Sequence, residues 1–165
     1  NDAPELRMAT LLGQPLWRYV VGLETSYLYR VLVDRVRLGE RPIDVEFQCD
    51  APHEVRPMRL TLSSVGSGAV RFEVTHLATR ARHPVEALAR SAPRTQELLS
   101  LCSWCKRLKL PDGGWSNLED AVGRHPALLS PPYPRFSHSA CPRCFAQIQR
   151  DLEDAPRKPP GGRHS

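Results

Sequence analysis

The chain has 165 residues, 23 basic against 18 acidic, giving a formal net charge of +5. That length accommodates one ordinary domain, or a small domain with a metal-stapled module, and the interleaved charges leave too small an excess to define a basic face. No apolar run approaches the ~18 residues of a membrane span and the start lacks a signal peptide's basic and apolar regions, so the expectation is a soluble, cytoplasmic protein with no membrane partner.

Residues 1–12 read as a short helical stretch carrying Leu6, Leu11 and Leu12, ended by Gly13 and Pro15. Leu16, Trp17, Tyr19, Val20 and Val21 follow as an apolar patch expected to be buried. The strongest helical pattern runs from Thr25 to Leu38, with Leu28, Val31, Leu32 and Val36 on one stripe and Gly39 as its stop.

The period then falls to two. Ile43, Val45, Phe47 and Cys49 alternate with Asp44, Glu46 and Gln48, and Met58, Leu60 and Leu62 alternate with Arg59, Thr61 and Ser63. After a glycine turn, Val70, Phe72, Val74 and His76 alternate in the same way. Three one-sided strands predict an antiparallel meander with the preceding helix covering its apolar face. Cys49 is expected as a small buried hydrophobe and His76 as a satisfied histidine near the sheet edge. Residues 78–94, with Pro84 and Pro93, read as a linker, and Thr95 as the cap of a short helix from Gln96 to Leu101.

That helix would deliver Cys102 and Cys105. A second Cys-x-x-Cys pair, Cys141 and Cys144, lies beyond 35 intervening residues. Two such pairs supply four sulfurs to one tetrahedral ion, and the metal expected is structural zinc; an iron site, a disulfide or dithiol chemistry are the alternatives. Four protein ligands leave no open position for catalysis. His138 is expected as a hydrogen-bond donor to a sulfur or as a plain loop residue, with replacement of one cysteine as ligand the alternative. Between the pairs, residues 106–115 read as a hairpin turning at Asp112 and Gly113. Ser116 and Glu119 are spaced as a capping box for a helix through Val122, and the prolines at 131, 132 and 134 suggest a loop. Pro142 opens a helix with Phe145, Ile148 and Leu152 on one face. Residues 155–165 read as a disordered tail.

The expected architecture is therefore α+β: a sheet with covering helices over residues 1–77, a linker over 78–94, a zinc-stapled hairpin-helix module over 95–154, and the tail. Several words of the first part, including Gly13-Gln14-Pro15-Leu16-Trp17 and Phe47-Gln48-Cys49-Asp50-Ala51-Pro52, resemble a group of bacterial PAS-like proteins. In that group a module similar to Cys102-Ser103-Trp104-Cys105-Lys106-Arg107, closed by a Ser-His-x-x-Cys-Pro-x-Cys segment like residues 137–144, follows the sensor-like part. The resemblance implies the C-terminal two-thirds of a PAS domain, its first strands missing or supplied from elsewhere, and a sensor or interaction role with a protein partner or homodimer contact through the PAS-like half. It implies neither flavin nor haem: there is no Asn-Cys-Arg word, and no histidine lies on the helix from Thr25 to Leu38.

No Gly-rich phosphate loop or supported nucleophile arrangement is present, so the protein reads as a non-enzyme. The runner-up readings are a nucleic-acid-binding regulator using Lys106, Arg107, Lys109, Arg143 and Arg150, and a thiol redox switch at the cysteine pairs.

Overall fold

The computed structural model describes residues 8–39 and 41–154. The expected tail and the first seven residues of the expected opening helix lie outside the described residues. From Met8 the chain makes a single helical turn, α1 (Met8–Leu11).

The amphipathic stripe forms α2 (Leu23–Arg37), which buries Leu28, Leu32, Val33 and Val36. Burial of such side chains contributes about 1.5–3 kcal/mol each. The helix runs onto a three-stranded antiparallel meander of β1 (Ile43–Gln48), β3 (Pro57–Ser64) and β4 (Val70–His76). Its register places Ile43 beside Leu62 and Leu62 beside Phe72, with Val45, Leu60 and Val74 forming the next row. The period-two alternation therefore puts the apolar residues of all three strands on one face, as expected.

Cover over that face fades toward β4. Leu60 and Leu62 are 5% and 0% exposed, whereas Phe72 and Val74 are 37% and 56% exposed. The apolar patch at residues 16–21 is not the buried element expected: Leu16, Tyr19 and Val21 stay substantially exposed and, with Phe72 and Val74, wall an open groove of about 420 Å³. Trp17 is held by the Arg30 guanidinium, which lies over its ring 4.2 Å from the ring centre. Cys49 lies just past the end of β1 and is half-buried rather than an inward strand residue. His76 is exposed at the edge and hydrogen-bonded to Thr79 at 2.9 Å.

The segment expected to be a linker carries structure. Within it, β5 (Arg80–Ala81) pairs with β2 (Glu54–Val55), and a 3-10 turn at Glu86–Leu88 places Val85 and Ala87 in a second core. Arg82 is its anchor, with a buried ion pair to Asp50 at 2.8 Å and a second contact to Glu119 at 2.7 Å.

The largest correction concerns residues 94–102, which form a strand, β6 (Arg94–Cys102), and not a capped helix. It lies in a four-stranded sheet of order β8-β7-β6-β9, beside β7 (Leu108–Lys109), β8 (Trp115–Ser116) and β9 (Tyr133–Ser139). The proline-bearing stretch expected as a loop is thus β9, and it runs parallel to β6. Tertiary pairing overrides local preference here: Leu99 and Leu101 alternate inward, and Tyr133 joins them in the second core. The expected hairpin is β7–β8. The helix after it, α3 (Leu118–Arg124), is capped by Asn117, which accepts from the Asp120 amide, and not by Ser116. The chain closes with α4 (Pro142–Asp154).

Candidate metal centre

Parallel pairing of β6 and β9 explains how cysteines some 40 residues apart meet. The strands are hydrogen-bonded neighbours running the same way, with Cys102 opposite Ser139, so each hands its chain to a Cys-x-x-Cys turn at the same end of the sheet. The Ser103 amide donates to the Ser139 carbonyl at 2.8 Å and continues the ladder into the first turn.

The first turn closes locally. The Cys102 amide donates to the Arg107 carbonyl at 2.8 Å and the Lys106 amide to the Cys102 carbonyl at 3.2 Å. Lys106 sits at φ 55°, the left-handed conformation that lets so tight a turn reverse, and its ammonium donates to the Ser103 carbonyl at 3.0 Å. The second turn lies at the start of α4. There the Cys141 amide points at the Cys102 sulfur at 3.4 Å and the Cys144 amide at the Cys141 sulfur at 3.5 Å. Backbone N–H groups aimed at sulfur, together with the positive end of the helix, favour thiolates.

The four sulfurs of Cys102, Cys105, Cys141 and Cys144 all lie within 4.8 Å of one another, with Cys105 and Cys141 3.6 Å apart. A tetrahedral ion with metal–sulfur bonds of about 2.3 Å spaces its sulfurs about 3.8 Å apart, so the set can hold a metal ion. Cys102 and Cys141 are buried, Cys105 and Cys144 half-buried, and none is in a disulfide. The protonation pattern is that of a shared thiolate. Hydrogen bonds from Cys105 and Cys144 hold the Cys102 thiol well below its ordinary value. Donating to that thiolate pushes Cys105 up to about 11 and Cys144 higher still. A metal ion would take the place of those protons.

The cluster is built into the main core. Trp104, between the first two cysteines, is 4% exposed and stacks on Tyr29 of α2 with ring centres 5.8 Å apart. Its carbonyl accepts from the Gln48 amide of β1 at 2.6 Å, and Ser103 shares a hydrogen bond with Thr25 of α2 at 3.0 Å. Cys102, Cys141, Ile148 and Leu152 belong to one buried cluster with Leu28, Leu32 and Leu62, so the sheet-covering helix and the cysteine turns share their interior. Nothing in residue spacing marks Thr25 or Gln48 as partners of the cysteine turn; only the three-dimensional arrangement does.

The other residues singled out are distributed around this centre. The sulfur cluster does not include His138, which lies on β9 facing Leu101; burial, and then the nearby Lys106 charge, hold its imidazole below the ordinary value. Lys106, Arg107 and Arg143 line one cleft of about 510 Å³ together with Glu46, Asp50 and Glu119. Lys109 lines a different cleft, and Arg150 hydrogen-bonds Gln147 on α4. The five basic residues therefore do not form one patch. Among the described residues no helix is long and apolar enough to cross a membrane. No protein-family model matches the sequence, and no match was found among curated proteins or solved structures.

Proposed function

We propose that the protein is a non-enzymatic regulatory module of the cytoplasm, a PAS-like sensor or protein-interaction unit whose C-terminal half is held together by a structural zinc ion on Cys102, Cys105, Cys141 and Cys144. The observation that carries this reading is the convergence of four sulfurs within 4.8 Å inside the core that also seats α2. An all-sulfur tetrahedral set suits zinc, and with every position taken by protein there is no place for a reacting water or substrate. When bound, the ion cross-links the end of β6 and the turn after it to the start of α4, and through Trp104 and Ser103 it fixes the end of α2 nearest the open apolar groove. A ligand or partner in that groove, which is lined by Tyr19, Val21, Tyr29, Phe47, Phe72 and Val74, would bias the packing of α2 against the metal-held half. A nucleic-acid role is the weaker reading, because three carboxylates share the cleft that holds Lys106, Arg107 and Arg143.

Elemental analysis combined with native mass measurement tests the proposal on the intact chain. One zinc per chain is expected. A fully folded sample devoid of metal would refute the structural centre, and turnover of any substrate would refute the non-enzymatic reading.

A further inference from the structure

The meander ends on an open edge. β4 pairs along its length with β3, and among the described residues no strand lies on its other side. Natural sheets blunt such edges with prolines, lysines, bulges or a covering element. Residues 70–76 contain no proline and no lysine, and their register with β3 shows no irregularity. Behind this edge the inward face is apolar and partly uncovered at Phe72 and Val74.

We propose that β4 pairs antiparallel with β4 of a second copy of the chain, about a twofold axis at Phe72. Side chains alternate between faces, so only registers that set inward residues opposite inward residues keep the two apolar faces on one side of the joined sheet. Among these, an axis at Glu73 or at Arg71 brings like charges directly opposite. An axis at Val74 leaves Glu73 opposite Thr75 and Arg71 opposite Leu77. The axis at Phe72 sets Arg71 of each copy against Glu73 of the other, twice, and Val70 against Val74, twice. Cross-strand pairs of opposite charge and of β-branched residues stabilise such ribbons, whereas like charges directly opposite oppose them. Neither Arg71 nor Glu73 has an ion pair within its own chain among the described residues. Two three-stranded sheets then become one of six strands, with the two Phe72 rings adjacent and the apolar grooves of the two copies side by side on one face of the joined sheet.

The test uses the intact, metal-loaded chain. Sedimentation or light scattering over a concentration series should show a monomer–dimer equilibrium. Glu73→Arg alone and Arg71→Glu alone should each weaken it at least about tenfold, and the double exchange Arg71→Glu/Glu73→Arg should restore it. Hydrogen exchange at the β4 amides should slow as the dimer forms. A chain that stays monomeric throughout, a dimer whose β4 amides exchange as fast as in the monomer, or a dimer indifferent to the single charge reversals would each overturn the proposal. Because both charged side chains project from the outer face of an exposed strand, circular dichroism of the three variants should match the parent.

Discussion

Thr25, on the helix that covers the sheet, and Ser103, between the cysteines of the first Cys-x-x-Cys turn, share a hydrogen bond of 3.0 Å across 78 residues of chain. Beside it, Tyr29 stacks on Trp104, and Ser139, the residue opposite Cys102, donates to Glu24 at 3.2 Å. The first turn of α2 is thus docked on the cysteine cluster. Replacing Thr25 by Val and Ser103 by Ala, singly and together, should cost about 0.5–1.5 kcal/mol for each single change, with the double variant losing less than the sum. Chemical denaturation of the four proteins measures that coupling.

Loss of one sulfur should reach well beyond the cysteine turns. In Cys102→Ser or Cys141→Ser the metal is expected to be lost, and α2 should loosen as well, because Leu28 and Leu32 pack in the same cluster as the two buried cysteines. Hydrogen exchange in α2 should accelerate by at least about tenfold, and Trp104 emission should shift to the red as its 4%-exposed ring meets water. Chelation of the parent protein should give the same emission change. Unaltered exchange in α2 after metal loss would contradict the shared interior.

Metal uptake should release protons. Without metal, the Cys105 thiol is held up to about 11 and Cys144 higher, chiefly because both donate to the Cys102 thiolate. Both are therefore protonated at neutral pH and must lose those protons to bind an ion. Affinity should fall as pH is lowered, by about a hundredfold or more per unit for two protons released, and rise again toward alkaline pH. Calorimetry in buffers of different ionisation enthalpy counts the protons directly.

Gly22 is expected to tolerate no side chain. Its φ is 93°, and a Cβ placed there would collide with the His138 backbone carbonyl on β9. Gly22→Ala should cost about 1–3 kcal/mol from the backbone conformation alone, and more from separating α2 and β9. Thermal unfolding measures the loss, and Gly66→Ala, at a φ of 87° with open space around it, separates the conformational part from the collision.

The Arg82–Asp50 pair offers a contrast between removing one partner and removing both. Their side chains are 3% and 4% exposed, so Asp50→Ala leaves a buried guanidinium facing only the half-exposed Glu119. A loss of about 3–5 kcal/mol is expected. The double change to Ala and Met should recover part of it, as denaturation midpoints would show.

Much of the first sheet was legible in residue order alone. The stripe of Leu28, Leu32 and Val36 and the alternation at Ile43, Leu60 and Phe72 are local periodicities, and local periodicity is what secondary structure imposes on a sequence. The two Cys-x-x-Cys spacings likewise picked out the four cysteines whose sulfurs the fold brings within 4.8 Å of one another, because a turn of that length suits a shared ion whatever surrounds it. The strands β6 and β9 could not be read in this way. Thr95 resembles a helix cap and Pro134 resembles a loop residue; only their parallel pairing, across a long crossover, makes both stretches strands. The same pairing brings the cysteines to one end of a sheet, and side-chain contacts such as Thr25 with Ser103 join that end to α2. Local chemistry in the chain thus determined which groups are able to ligate an ion and which faces would be apolar. Long-range hydrogen bonding and packing decided where those groups meet, because they depend on residues that are neighbours only after the chain has folded.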